Sequence, residues 1–457
     1  ARQYNRRILS KDTKINLVEI VESSPELNND LLSHLGEYKE LGQYLVDTFK
    51  EAKEFGSILN LDCTLEQLQK LENNLFEIEN NAKYGSMLDQ IESQQLIDLM
   101  EPLLKQAKLL VQKYDVVVTN PPYMPPSPKQ KQYVQKNYPY SKSDLFAVFI
   151  EKCHDLTKKN AYQAMITMHS WMFLSSFEKL RNKLIDNDTI VNMAHLGARA
   201  FEDIGGEVVQ TTSFIFENNH IKNYKSGFKR LVDYNSQDGK EDEYLTGRNL
   251  YVSSSENFNK IPGSPIAYWA SINIIESFMY KKIEDYINCK SGIMTGSDDY
   301  IKLWFEPQIS HIKMDCKTYL DMGEYKWFPL NSGGGFRKWY GNNSKVVDLY
   351  HDGYNIKNNV KNYRLRDKKY YFRMGITWGR ITSSDIAFRD VVSGSLFGDA
   401  GPIGFVEEHK NYILSFFNTC VTKYLLKILN PTLNFQVHDI MSLPMLISKN
   451  EIEVENI

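Results

Sequence analysis

The sequence predicts an α/β domain built on a largely parallel sheet, followed by a second domain of irregular α+β character. Three observations carry this. The β-branched run DVVVT (Asp115 to Thr119) reads as a strand covered on both faces, as strands of parallel sheets are. Apolar runs then alternate with helical stretches at the spacing of βαβ units. Past Asn218 the alternation stops, and after Ile261 the chain turns to glycine, aromatics and short strand-like pieces. At 457 residues it is too long for one ordinary core.

Taken in order, residues 1–54 read as helix, a strand (KINLVEIVE, Lys14 to Glu22) and helix again. A helical stretch at about 64–111 carries Leu65, Leu68, Leu71 and Leu75 at the spacing of one packed face. The strand at Tyr114 opens the alternation. It is followed by a helix (Asp144 to Lys159), a strand (Tyr162 to Met168), a helix (Ser176 to Ile185) and strands at Ile190 to Leu196 and Gln210 to Phe216. Residues 1–218 thus form the first domain, the polar stretch 219–260 a connector and 261–457 the second domain.

Composition narrows the function classes. Hydrophobic and charged fractions of 42% and 24% are those of a globular protein, and a net charge of −3 gives no global pull towards a polyanion. No apolar run approaches the roughly 18 residues of a membrane span, and the N-terminus has no apolar secretion core. The expectation is a cytoplasmic protein with no membrane partner. Cys63, Cys153, Cys289, Cys316 and Cys420 lie far apart without a CxxC pair, which argues for reduced thiols and against a metal site. The first residue is Ala1, which points to a piece of a longer chain.

The strand DVVVT ends in Asn120-Pro121-Pro122-Tyr123, an amide, two prolines and an aromatic where a cheap turn would serve. An exocyclic aromatic amine is a poor nucleophile because its lone pair is delocalised. Two acceptors on its N–H bonds push it towards a tetrahedral shape. The side-chain oxygen of Asn120 and the carbonyl of Pro121 are such acceptors, pre-set by proline stiffness. Tyr123 offers a flat face for a base that has left its duplex. The bland alternative is a rigid turn that only ends a strand; four such residues after a buried strand favour the chemical reading.

This strand and loop resemble motif IV of the S-adenosylmethionine-dependent amino-methyltransferases. DLFAVFIEK (Asp144 to Lys152) is similar to their motif V, AMITMHSWMFLSSFEKLR (Ala164 to Arg181) to motif VI, and HLGARAFEDIGGEVVQTTSFIF (His195 to Phe216) to the motif VIII region. With KSGIMTGSDDYIKLW, YYFRMGITWGRITSSDIAFR and NPTLNFQVHDIMSLP, nearly the whole chain resembles the N6-adenine DNA methyltransferases of BREX phage-defence systems. The resemblance implies a Rossmann-like catalytic domain and a target-recognition domain, the latter incomplete if relatives continue past Leu443-Pro444. Asn120 and Pro121 would hold the target amine. Tyr123 and Phe201 would cover the two faces of a flipped adenine. Pro122 and Phe149 would border the cofactor's adenine. For Phe201 and Phe149 a core role stays open, His169 reads as structural, and Trp171 and Phe173 as packing.

One departure stands out. Such enzymes hold S-adenosylmethionine with a glycine-rich loop after the first strand and an acidic residue after the second. Before Asn120 the only glycines are Gly36, Gly42, Gly56 and Gly85, and ARQYNRR resembles the helix after the missing acid. The expectation is a catalytic domain lacking its first two βα units, unable alone to bind S-adenosylmethionine normally.

In the second domain, Lys357 to Arg373 carries Lys357, Lys361, Arg364, Arg366, Lys368, Lys369 and Arg373 interleaved with Tyr363, Tyr370, Tyr371 and Phe372. Beside a base-modifying domain this reads as a surface for double-stranded DNA, with phosphates on the cations and bases on the aromatics; alone it would read as a solvated face. Thr295-Gly-Ser-Asp298 and Ser332-Gly-Gly-Gly335, the latter followed by Phe336 and Arg337, are loops able to approach a phosphate backbone closely. Other phage-defence subunits are further expected partners. Rival readings are methylation of an RNA base or a protein glutamine, and a DNA-binding specificity component without catalysis.

Overall fold

The computed structural model describes residues 15–201, 209–382, 385–432 and 434–447. It divides into two units, residues 1–171 with 183–250, and residues 172–182 with 251–457. Among the described residues no helix is long and apolar enough to cross a membrane.

The first unit opens with short helices α1 (Asn29–Ser33), α2 (Lys39–Thr48) and α3 (Ala52–Phe55), then the long pair α4 (Leu65–Ala82) and α5 (Met87–Val111). Both long helices start on capping boxes, Thr64 with Gln67 and Ser86 with Asp89, which satisfy orphan N–H groups reciprocally. Leu68, Leu71 and Leu75 of α4 bury against a cluster holding Leu96, Met100, Leu103 and Leu104 of α5. Leu65 departs from the predicted stripe. It lies in the first turn, ahead of the packed stretch, and is 43% exposed. The predicted strand at Lys14 to Glu22 does not form over its described part, 15–22. There the side chain of Gln106 replaces a neighbouring strand, accepting from Val21 N and donating to Val21 O, both at 2.9 Å.

The sheet follows: β1 (Tyr114–Thr119), α6 (Pro128–Asn137), α7 (Leu145–Leu156), β2 (Thr157–Met168), α8 (Glu178–Asn187), β3 (Thr189–Gly197), β4 (Thr211–Glu217), β5 (Ser226–Arg230), α9 (Gln237–Thr246) and a short strand β6 (Leu250–Ser253). Within this unit the order is β1-β2-β4-β3-β5. Parallel pairing joins β1 to β2 and β3 to β5, whereas β4 runs antiparallel to both β2 and β3. The sheet is therefore mixed, because β4 returns between the strands that precede it. The stretch 219–260 is no plain connector; it supplies β5 and α9. Its buried Lys240 donates to the carbonyls of Leu196 and Leu231, at 2.7 and 2.9 Å, and of Tyr234.

β1 corrects a second expectation. Among the described residues it lies at the sheet's edge, with α7 packed along it and β2, and its other face is open. Val116 and Val118 are 57% and 72% exposed, and Tyr162, opposite Val116 in β2, is also exposed. Continuing across that face, Ala164, Ile166, Ser213, Ile215 and Ala194 are only half-buried, whereas Met165, Phe214, Phe216, Met193 and Phe228 are buried on the other face. Trp171 packs edge-on to Phe214 and Phe216, at 5.3 and 5.9 Å, as a packing role predicts.

The second unit adds α10 (Ile272–Ser277), β7 (Ile287–Lys290), β8 (Ile301–Leu303), β9 (Trp327–Asn331), β10 (Lys345–Asp348), α11 (Tyr350–Asn359), β11 (Gly375–Trp378), β12 (Phe388–Val391), β13 (Leu396–Phe397), β14 (Ile403–Val406), α12 (Lys410–Phe417), α13 (Cys420–Leu429) and α14 (Val437–Met441). Its strands form two four-stranded sheets, β13-β9-β10-β8 and β12-β11-β14-β7. Trp378 and Phe388 of the second sheet share a core with Ile413, Phe417 and Leu426 of α12 and α13. The whole is a mixed α/β protein, as composition and periodicity predict.

The buried stripe of α4 is testable against its exposed member. Leu71→Ala should cost about 2–5 kcal/mol, the transfer and cavity terms of a buried leucine. Leu65→Ala should stay within about 0.5 kcal/mol. Urea unfolding of both variants checks this; equal losses would show the pair packed differently.

Candidate active site

β1 delivers the backbone to a loop punctuated by Pro121, Pro122, Pro125, Pro126 and Pro128. The loop is fastened at its far end: Leu145 N donates to Met124 O at 2.9 Å as α7 begins, and Ser127 caps α6 in a box with Gln130. Pro121 is buried, Asn120 and Pro122 are exposed, and Tyr123 is half-buried. Asn120 thus faces out from the sheet's carboxyl edge on a stiff support.

The hydroxyl of Tyr123 lies 2.9 Å from Asn120 Oδ1 and 3.2 Å from the carbonyl oxygen of Ile166 on β2. Burial pushes this phenol up to about 12, so it stays protonated and is the donor to both oxygens in turn. An amide oxygen has two acceptor directions, so Asn120 keeps one for a ligand N–H while Tyr123 holds its orientation. Phe146 stands edge-on to the Tyr123 ring at 6.4 Å and 90°. It is buried, and sequence reasoning passed over it in favour of Phe149, one turn further along α7.

Phe149 is half-buried and packs against a cluster holding Ile58, Val134, Tyr138, Leu145 and Val148. This matches the core alternative. Phe201 is half-exposed and makes no ring contact with Tyr123 among the described residues; the following segment 202–208, part of the motif VIII resemblance, lies outside them. Residues 1–14, with the ARQYNRR segment, also lie outside them. Among the described residues, Phe149 packs within that cluster, and β1 is paired on one side only, with β2.

A feature that no local window reveals sits at the end of β2. His169 Nδ1 lies 2.8 Å from His195 Nε2. The two are 26 residues apart, on strands separated by β4, so only the strand order brings them together. Burial lowers His169 to about 4. Burial, then His169, Arg230 and Lys240, hold His195 well below the usual histidine range. Both rings are neutral at physiological pH, one nitrogen donating and the other accepting. The sequence reads His169 as structural; in the fold it forms a buried pair with His195.

In the second unit the basic run is largely compensated. Arg364 pairs with Asp399, Lys368 with Asp352, and Lys369 with Asp367 at 3.2 Å. The Arg373 guanidinium lies 4.9 Å over the Phe405 ring, and Arg366 is half-buried with its Nε lacking a partner among the described residues. Lys357 and Lys361 are exposed without an ion pair among the described residues. The interleaved aromatics are mostly not base-facing: Tyr371 and Phe372 lie in the core, and Tyr370 stacks on Phe405 at 5.4 Å. Gly296, at φ +73, makes its close approach within the protein, where a Cβ would meet Asn362 O at 2.3 Å.

Comparison with known proteins adds to this geometry. A family model described as Eco57I restriction-modification methylase matches residues 12–201. The chain is 35% identical, over 97% of its length, to the adenine-specific methyltransferase PglX of Lacticaseibacillus casei (strain Zhang), and covers 38% of that protein. It is 36% identical, over 99% of its length, to the adenine-specific methyltransferase BrxX of Escherichia coli O9:H4 (strain HS), and covers 39% of it. The chain thus spans about two fifths of the length of these curated relatives. The solved structure of the Type IIL restriction-modification enzyme MmeI in complex with DNA shares 12% identity, covering 73% of this chain and 47% of that one at a TM-score of 0.48.

The histidine pair has a pH signature. With its folded-state value lowered from 6.5 to about 4, the unfolded chain binds the proton first as pH falls. Stability should be fully present above 6.5 and decline from there towards about 4. Melting temperatures across that window should fall more steeply for the native chain than for His169→Gln; parallel profiles would remove the pair from the acid response.

Proposed function

We propose that this chain is the amine-binding and DNA-reading part of a site-specific DNA adenine-N6 methyltransferase of a phage-defence system of the BREX or restriction-modification-like kind. One observation carries the reading. In a chain 35% identical to an adenine-specific methyltransferase, Asn120 is exposed at a strand end and its Oδ1 is oriented at 2.9 Å by a neutral tyrosine. A flipped adenine would place one N6–H on that oxygen and the other on the Pro121 carbonyl, drawing the nitrogen towards a tetrahedral shape. Tyr123 would lie against one face of the base and Phe201 against the other. Positioning and electrostatics supply the rate; no general base is needed at His169.

S-adenosylmethionine is the methyl donor such an enzyme uses. The open edge of β1 and the bare valine face support a sheet completed by further βα units, which would carry the groups for its methionine and ribose. Pro122 would border the cofactor. Residues 251–447 would serve as the target-recognition part, with Lys357 and Lys361 among its phosphate contacts. The same open edge favours a second reading for the chain by itself, a DNA-binding component that transfers no methyl group.

The test uses tritiated S-adenosylmethionine and duplex DNA. The chain alone should transfer nothing, and a longer protein that adds βα units to the open edge of its sheet should methylate adenine. Asn120→Ala in that longer protein should lower kcat by at least about a hundredfold, the scale for losing one preorganised hydrogen-bonding group. Retained transfer in that variant, or transfer to RNA or peptide instead, would overturn the assignment.

A further inference from the structure

The loop joining β9 to β10, SGGGFRKWYGNNS (Ser332 to Ser344), presents its aromatic residues outward. Phe336, Trp339 and Tyr340 are 51%, 50% and 62% exposed, a costly arrangement for three large rings in succession. The backbone beneath them is fixed. Trp339 N donates to Phe388 O at 2.9 Å, and Asp390 N donates to Trp339 O at 2.7 Å, tying the loop to β12. Asn342 Nδ2 donates to Gly335 O at 2.8 Å and closes the loop's neck. Trp339 is held at φ +72, a left-handed conformation that a bulky residue adopts only when its surroundings impose it.

Charge gathers at the same place. Arg337 is exposed, with no ion pair among the described residues. The ammonium of Lys423 lies 5.8 Å over the Phe336 ring. Lys423 pairs with the Asp385 carboxyl and, with Lys427 and Lys338 nearby, draws it below its usual range, so three lysines face that one acid. Arg389, bridged to Trp339 through the backbone, is 1% exposed, and its Nε and Nη2 have no partner among the described residues. Exposed rings on a rigid, locally cationic support fit a partner that is both planar and anionic.

We propose that the 336–340 loop is the base-contacting element of the second unit: Trp339 and Tyr340 stack on or wedge between bases of a DNA duplex, while Arg337 and Lys427 hold the flanking phosphates. The inference rests on the DNA reading above and places the contact away from the compensated run at 357–373. Sequence-tolerant stacking follows from the rings, since every base has a π-face, and wedging unstacks a step and bends the duplex.

The experiment is fluorescence anisotropy of the whole chain with labelled duplex DNA at several salt concentrations, with a duplex carrying 2-aminopurine as a stacking probe. Trp339→Ala should weaken binding about tenfold with an unchanged salt slope, and Trp339→Phe should retain it. Arg337→Ala should lower the slope by about one. The native chain should raise 2-aminopurine fluorescence, and Trp339→Ala should not. Native DNA binding with all variants unaffected would overturn this inference and leave the DNA reading standing. No DNA binding by the native chain would overturn both. Equal or tighter binding of structured RNA would overturn the choice of DNA.

Discussion

A single hydroxyl ties the candidate site together. The phenol of Tyr123 reaches from the loop after β1 to the amide of Asn120 and to the Ile166 carbonyl on β2. Each such bond is worth only about 0.5–1.5 kcal/mol net, so their contribution to stability is small. Their contribution to geometry is larger. Prolines already limit the loop's backbone, and the hydroxyl removes the remaining freedom of the amide, choosing which end of it faces outward. Because burial holds the phenol near 12, the bond persists across the working pH range. Phe146 then fixes the ring that carries the hydroxyl, so a helix core residue indirectly orients an exposed acceptor.

Among the described residues, the sheet behind the loop is buried on one face only. Met165, Phe214, Phe216, Met193 and Phe228 make a buried layer, whereas Val116, Val118 and Tyr162 stand open beside an unpaired parallel edge. Parallel strands normally require cover on both faces, and exposed β-branched edges invite pairing. The arrangement therefore separates two tasks. On the proposed reading, amine recognition would draw on β1, β2 and α7, whose geometry is set locally. On that reading, a group that covers the open face would meet a loop already shaped, so loss of base binding and loss of cofactor binding would be separable.

How far the sequence foretells this depends on the range over which each interaction acts. Helices α4 and α5, strands β1, β2, β3 and β4 and the stiff loop follow from periodicity, β-branching and proline, all local properties. The failures are non-local. The 14–22 segment has strand composition, yet the partner its backbone finds is the Gln106 side chain, 85 residues on. β4 reverses direction between β2 and β3, which no spacing rule dictates, and the same reversal creates the His169–His195 pair. Polar composition hid β5 and α9, although Ser226, Lys240 and Glu243 are buried within them, the first two on hydrogen bonds that no local window shows. Phe146 and Phe149 illustrate the limit at a single site: adjacent turns of one helix present equivalent aromatics, and only the packed structure says which meets Tyr123.

Charge is the property that local reading misplaces most. The run from Lys357 to Arg373 is nearly free of acids in sequence, but acids arrive from elsewhere: Asp352 lies 16 residues from Lys368, and Asp399 lies 35 from Arg364 and also pairs with Arg380. An ion pair so engaged gives up little when a phosphate approaches, since the new contact must first release the old one. Aromatics in the same run are drawn inward, because Tyr371 and Phe372 alternate onto the core face that Phe328 and Leu330 supply. Among the described residues, a short loop with two exposed rings and an arginine without an ion pair would offer a nucleic acid more than a longer stretch rich in paired cations. What decides is whether a side chain's electrostatic and apolar demands are already met within the fold.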